Sequence, residues 1–280
     1  MKTQDMTGRV VAITGGARGI GLAIAKACAE QGAKVALGDV DAALAEREAA
    51  SLRGYGGSLD VRDRASFLAF LDATEKALGP VDVLINNAGI MPMGPFEDES
   101  DALSDVQIDI NLRGVILGCK LALPRMRERG QGHIVNIASL AGVLPLPGAA
   151  VYCATKYAAR GLTHALSEEY RDSGIHFTAV LPSKITTELA SGTDKAGRGI
   201  PSASPEEVAE AVLDALHKQL AEVTVPRYLR GVPALVATVP RGAERAFRRV
   251  FGDRRMLDDL DRKARAAYEQ RMASLARSEV

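Results

Sequence analysis

Between Arg9 and Leu181 the chain alternates short, nearly continuous apolar runs with longer stretches whose apolar positions recur at helical spacing. The runs at 10–14, 34–39, 81–86, 133–139 and 176–181 predict strands, and the stretches at 19–31, 42–52, 65–78, 104–129 and 149–172 predict helices between them. Strands with one face in water alternate apolar and polar residues; unbroken apolar runs mean burial on both sides. That is the signature of a parallel sheet, because right-handed crossovers lay helices on both of its faces. Ser204-Pro205-Glu206-Glu207 then places an N-cap serine, a proline at the first helical position and a glutamate at the third, which starts a helix running to residue 220.

Two regions depart from this rhythm. Residues 186–201 are rich in Gly, Ser and Thr without periodicity and predict a mobile loop. Val223-Thr224-Val225-Pro226 supplies a last strand, after which prolines and arginines interrupt short apolar runs, and 258–277 has the pattern of a charged amphipathic helix. The expected division is a domain over 1–225 and a helical C-terminal extension over 226–280, packed on that domain or on a partner subunit.

Composition narrows the function class. A chain of 280 residues with 47% hydrophobic residues buries a full core without disulfide or metal. Basic and acidic residues balance at 35 each, which argues against a nucleic-acid partner. Cys28, Cys119 and Cys153 are odd in number and lack metal-ligand spacing, so a reducing setting and no metal are expected. No signal-like N-terminus and no run of the roughly 20 apolar residues needed to span a membrane is present, and a cytoplasmic protein is expected.

Directly after the first strand comes Thr14-Gly15-Gly16-Ala17-Arg18-Gly19-Ile20-Gly21, leading into a helix. Glycines there permit a tight turn and let backbone N–H groups approach a pyrophosphate, which the helix N-terminus attracts. The second strand ends in Asp39, whose carboxylate can accept from both adenosine ribose hydroxyls and repels a 2′-phosphate. Asp39 therefore favours NAD over NADP, while Arg18 in the loop pulls the other way. The fold expected is a Rossmann-type doubly wound sheet of about seven strands.

Further along, Tyr152 and Lys156 stand four apart in a helical stretch and share one face. A phenol near pKa 10 is a poor base, and a neighbouring ammonium favours its ionised form. Together with Thr14–Gly21, Asn86-Asn87-Ala88-Gly89, Asn111 and Ser139, the segment Tyr152-Cys153-Ala154-Thr155-Lys156 resembles the short-chain dehydrogenase/reductase family, in order and spacing, over the first two-thirds of the chain. The resemblance implies oxidoreduction of an alcohol and a ketone or aldehyde by hydride transfer with nicotinamide. It implies Tyr152 as acid/base, Ser139 as the hydroxyl on the substrate oxygen, Lys156 on the nicotinamide ribose, and Asn111 positioning a water that links Lys156 to solvent. It further implies adenine contacts at Asp60 and Val61, and a cofactor cleft lined by Asn87, Ala88 and Gly89. Pro182-Ser183-Lys184-Ile185-Thr186-Thr187 resembles the family segment that holds the carboxamide, at the Ile185 backbone and the Thr187 hydroxyl, with Ser183 in place of the usual glycine.

The expected substrate pocket is walled by Leu140, Val143, Leu144, Leu146, Met91, Met93 and the 186–201 loop, an apolar set suited to a hydrophobic alcohol or ketone. His133 and His176 read as structural, and Cys153 as a packed small residue. Relatives pair subunits through the faces at 104–129 and 149–172, which implies a homodimer or homotetramer. The extension carries Arg245, Arg248, Arg249, Arg254 and Arg255 and is expected to cover the substrate entrance, to meet a second subunit or to touch a membrane surface. Two alternatives remain: a catalytically silent dinucleotide sensor or scaffold of the same fold, and an NADPH-linked acyl-chain ketoreductase. The complete Asn111–Ser139–Tyr152–Lys156 set argues against the first, and Asp39 against the second.

Overall fold

The computed structural model describes residues 6–193, 200–240, 242 and 259–277. The extension arginines named above and residue 258 lie outside them, within 243–258. Seven parallel strands form the sheet: β1 (Val10–Thr14), β2 (Lys34–Asp39), β3 (Tyr55–Ser58), β4 (Val81–Asn86), β5 (Gly132–Ile137), β6 (Ile175–Pro182) and, on the edge, β9 (Glu222–Val225). Their spatial order is β3-β2-β1-β4-β5-β6-β9. Between β6 and β9 the chain forms a separate two-stranded pair, β7 (Lys184–Ile185) with β8 (Ser202–Ala203).

The continuous apolar runs have the expected cause. In β1, Val11 and Ile13 enter one core while Val10 and Ala12 enter the other, so every position is covered. The first core is closed by α1 (Gly19–Glu30), α2 (Ala42–Ser51) and α7 (Pro205–Lys218); the second by α3 (Arg64–Leu78), α5 (Gly114–Arg129) and α6 (Ala150–Glu169). α7 starts as read: Ser204 Oγ accepts from the Glu207 N–H at 3.2 Å, and the Glu207 carboxylate accepts from the Ser204 N–H at 2.8 Å.

One helical stretch differs from expectation. Instead of an unbroken helix over 104–129, α4 (Asp101–Ile108) passes through a π-turn at Asp109–Arg113 before α5 continues. The extra residue in that turn rolls the side chains around the axis and aims Asn111 into the interior, where it is fully buried. The segment expected to be a mobile loop is tied at both ends by the β7–β8 pair and carries a single helical turn at Glu188–Ala190; its residues 194–199 are outside the described set. Beyond β9 come α8 (Val232–Thr238) and α9 (Arg262–Arg277).

The chain winds outward from β1 to β3, then returns to place β4 on the other side of β1. That reversal opens a crevice at the carboxyl ends of β1 and β4, where ligands bind in open sheets of this kind.

Candidate active site

The nucleotide end of the crevice is built by close backbone approach. Gly15 adopts a left-handed φ of +61°, and a Cβ there would stand 2.9 Å from the Cα of Ala88. A Cβ on Gly21 would stand 2.3 Å from the Gly15 carbonyl oxygen, so the loop can lie on α1 only with glycine at this position. Asn87 locks the seam: its amide donates to the carbonyls of Thr14 and Gly15, each at 2.9 Å. The N-terminus of α1 has no side-chain cap at Arg18 and no acidic residue in its first turn. Its orphan N–H groups and positive dipole end are thus left to an anion, beside the cavity that Gly15, Gly19 and Ile20 line.

Asp39 lies at the end of β2 on the same cavity. Its two carboxylate oxygens accept from the Ala17 and Asp41 N–H groups, both at 3.2 Å, which fixes the carboxylate under the loop. Arg18 is held by Asp41 at 2.7 Å and lies 4.0 Å from Glu188. Asp60 is gripped by Arg62 at 2.7 Å; burial acts to raise its pKa, but the hydrogen bonds and charge of Arg62 outweigh it and bring the carboxyl below its usual range.

At the other end, β5 and the N-terminal half of α6 bring the polar residues together. Ser139 caps the single turn after β5 by accepting from the Ala141 N–H at 3.1 Å, and its hydroxyl lies 3.4 Å from the Pro182 carbonyl. Tyr152 and Lys156 are both buried on one face of α6, with Nζ 5.7 Å from the phenol ring centroid. Lys156 donates to the Ile137 carbonyl at 2.8 Å. Burial pushes the Tyr152 phenol up and the Lys156 ammonium down to about 8, while a hydrogen bond with Ser139 pulls the phenol the other way. The expected depression of the phenol by Lys156 is not what acts here: burial raises the phenol, and the group that lowers it is Ser139. Asn111 bonds both ways with Ile90, accepting from its N–H and donating to its carbonyl at 2.8 Å each, and also reaches Thr155 at 3.3 Å. Gly89 adjoins this cluster: a Cβ there would lie 3.2 Å from Asn111 Oδ1 and 3.5 Å from Lys156 Nζ.

One cavity of about 1290 Å³ joins the two ends. It exceeds the roughly 300–1,000 Å³ of an ordinary small-molecule pocket and has room for a dinucleotide together with a second ligand. Arg18, Asp60, Val61, Asn87, Ala88, Pro182, Ile185 and Thr187 all line it, as do Ser139, Tyr152 and Lys156. Asn111 stands behind the wall rather than in it. Ser183 meets the crevice without a left-handed backbone, so the lost glycine costs the segment nothing in conformation.

Leu140, Leu144, Leu146 and Met91 line the cavity as expected, whereas Val143 and Met93 do not. Val143 turns into a small core with Ala138 and Leu181, and Met93 packs on the cluster of Met91, Ala149 and Tyr152. A whole side of the pocket comes from the extension, one of the places expected for it although none of its lining residues was named: Leu229, Val232, Leu235, Val236 and Val239 around α8, and Tyr268, Arg271, Met272 and Leu275 of α9. The apolar spacing of Tyr268, Met272 and Leu275 was a usable signal, but nothing in it named what the stripe faces. His133 is neutral and structural, bonded to the Thr178 hydroxyl at 2.8 Å with its pKa lowered to about 3 by burial.

A family model described as short chain dehydrogenase matches residues 9–197. A 2-(S)-hydroxypropyl-CoM dehydrogenase of Xanthobacter autotrophicus is 39% identical over 236 residues, covering 77% of this chain and 92% of that protein. A D-threitol dehydrogenase of Mycolicibacterium smegmatis is 37% identical over 222 residues, covering 74% and 85%. Among solved structures, a short chain dehydrogenase/reductase from Burkholderia phymatum in complex with NAD superposes with a TM-score of 0.75 at 26% identity, over 82% of this chain and 93% of that one. With its seven-stranded parallel sheet and crevice, the chain belongs to the short-chain dehydrogenase/reductase family and is an NAD(P)-dependent oxidoreductase acting on the CH–OH group of a small molecule.

Proposed function

We propose that the protein interconverts a hydrophobic secondary alcohol and its ketone using NAD, with Tyr152 as the proton-transferring group. The observation that carries this reading is the buried Ser139–Tyr152–Lys156 cluster at the apolar end of a cavity whose other end opens on the uncapped N-terminus of α1. A bound nicotinamide would supply hydride acceptance or donation and, when oxidised, a positive charge. The chain's own residues do the rest. Ser139 holds the substrate oxygen by its hydroxyl, the Tyr152 phenol takes or gives that oxygen's proton, and Lys156 steadies the charge left on the phenol. Asn111, engaged with the Ile90 backbone and the Thr155 hydroxyl, ties the loop after β4 to α6 beside Lys156. Asp39 and the engagement of Arg18 by Asp41 favour NAD, because the nearest guanidinium to a 2′-phosphate already has a carboxylate partner.

Residues 1–225 read as the catalytic domain and 226–280 as an extension packed on it through α9. Ile108 of α4 and Tyr157 of α6 stay partly exposed, which suits pairing of copies into a dimer or tetramer. Calorimetric titration with NAD and NADP, followed by initial rates on apolar secondary alcohols, tests the proposal. Tighter binding of NAD is expected; tighter binding of NADP overturns the cofactor assignment.

The site also sets a pH dependence. The Tyr152–Lys156 pair must lose one proton before it can accept another from an alcohol, and the first macroscopic step of a pair lies no higher than its more acidic member. With Lys156 at about 8, kcat/KM for oxidation should rise with pH and level off above that value, while ketone reduction falls over the same range. A pH–rate profile in both directions checks the sign; oxidation that declines from pH 6 to 9 rules the pair out.

A further inference from the structure

α9 is attached to the body by an unusual buried cation. Arg265 is fully buried, and its guanidinium donates to three backbone carbonyls: Leu189 at 3.1 Å, Ser191 at 2.9 Å, and Met91. It lies 4.9 Å from the centroid of the Tyr268 ring, and the Tyr268 oxygen accepts from the Met91 N–H at 2.9 Å. Removing a guanidinium from water is costly unless its donors are met; the two terminal nitrogens are met by these fixed carbonyls, while Nε lies 3.7 Å from the Glu269 carboxylate without a hydrogen bond. Here those acceptors come from the loops following β4 and β7, the two segments that carry Met91, Thr187 and Leu189 into the cavity. The start of the helix is pinned to the second loop as well: the Asp261 N–H donates to the Gly192 carbonyl at 2.9 Å, and a Cβ on Gly192 would stand 2.4 Å from the Asp261 oxygen.

The helix face so held is apolar where it meets the cavity, with Tyr268, Met272 and Leu275. Val232 and Val236 of α8 line the same cavity. Among the described cavity-lining residues of α9 the one charge is Arg271, and it is taken by Glu188 at 2.8 Å. An anionic substrate would have to break that pair, whereas an uncharged apolar one is received by the wall as it stands.

We propose that Arg265 and Tyr268 are positioning residues that clamp α9 across the loops following β4 and β7, making the helix the outer wall of the substrate pocket, and that Met272 and Leu275 on this wall select a bulky, uncharged apolar alcohol over a small one. The proposal rests on the alcohol–ketone reading of the site for its substrate half only. Its positioning half concerns the loops and stands without turnover.

The test compares the full-length wild type with R265A, R265K, Y268F and L275A, using 2-butanol and 2-octanol with NAD, backbone hydrogen exchange, and the NAD dissociation constant by calorimetry. Burial of each added methylene is worth about a fourfold gain in affinity at most, so wild type should prefer 2-octanol by about tenfold or more in kcat/KM. R265A should erase most of that preference through KM rather than kcat, raise exchange at 90–93 and 187–192, and leave NAD binding within about twofold. R265K keeps the charge but lacks the fork, so it should behave like R265A, and Y268F should show a smaller change of the same kind. L275A leaves the clamp intact; it should lose the chain-length preference with exchange unchanged, which keeps the test decisive if R265A fails to fold. Unchanged exchange in both loops of R265A and R265K overturns the clamp. Equal use of the two alcohols by wild type overturns the selecting wall. A wild type that binds NAD but oxidises neither alcohol overturns the alcohol–ketone reading, while the exchange data still decide the clamp.

Discussion

Replacing Tyr152 with phenylalanine should lower kcat about a thousandfold while NAD binds within about twofold of wild type, since positioned acid–base groups contribute roughly 10²–10⁴ in rate. The substitution removes one oxygen from a ring that is buried in the small cluster of Met91, Ala149 and Cys153, so the volume and the packing of α6 are retained. Ser139 keeps its contacts to Pro182 and Ala141, and Lys156 keeps the Ile137 carbonyl. What disappears is the phenol hydrogen-bonded to Ser139; the other tyrosine among the described cavity residues, Tyr268, has its oxygen occupied by the Met91 N–H and its pKa pushed up to about 12 by burial. Single-turnover absorbance at the nicotinamide band, paired with calorimetry, separates the two quantities. Retention of more than a tenth of wild-type turnover would sink the assignment of Tyr152; parallel loss of NAD affinity would mean that the phenol holds the site together rather than moving a proton.

How far such a site can be read from the chain depends on which interactions carry it. β1, β2 and β4 begin and end where their largely apolar runs do, because burial on both faces favours apolar residues; the exception inside β4, Asp82, accepts from the Val10 N–H. The glycine loop was legible for a similar reason: close approach of Gly15 to Ala88 and of Gly21 to Gly15 admits no side chain, so the constraint is written in residue type. Asn111 was legible as a residue but its π-turn was not. A single inserted residue barely disturbs a helical apolar pattern, and the turn is stabilised by bonds to Ile90, distant in sequence. Arg265 is the clearest loss. In a helix rich in Arg, Lys and Glu it reads as one more solvated charge, and only the convergence of three carbonyls from two other loops makes it a buried one. Val143 and Met93 failed in the opposite sense, being apolar and near the site yet turned into neighbouring clusters.

Asp39 offers the second large effect. Its carboxylate is aimed by two backbone N–H groups, at Ala17 and Asp41, and lines the cavity at the end of β2. Charge-assisted hydrogen bonds to a ribose are worth about 1.5–3 kcal/mol each, so Asp39→Ser should weaken NAD about 10- to 100-fold. The same change removes the repulsion of a 2′-phosphate and should strengthen NADP, narrowing the preference. The remaining brake is Arg18, tied to Asp41 at 2.7 Å with both side chains near half exposed. Exposed pairs of this kind contribute about 0–1 kcal/mol, so a phosphate can recruit the guanidinium once the pairing is loosened. Asp41→Asn loosens it while still capping α2, where the side chain accepts from the Leu44 N–H. The pair of changes should therefore invert the preference where Asp39→Ser alone only narrows it, and calorimetric titration of both cofactors against the two variants reads this directly. A double variant that keeps the wild-type ratio of NAD to NADP affinity would remove Asp39 and Arg18 from the account of cofactor choice and leave it to the part of the cavity that Asp60 and Arg62 line.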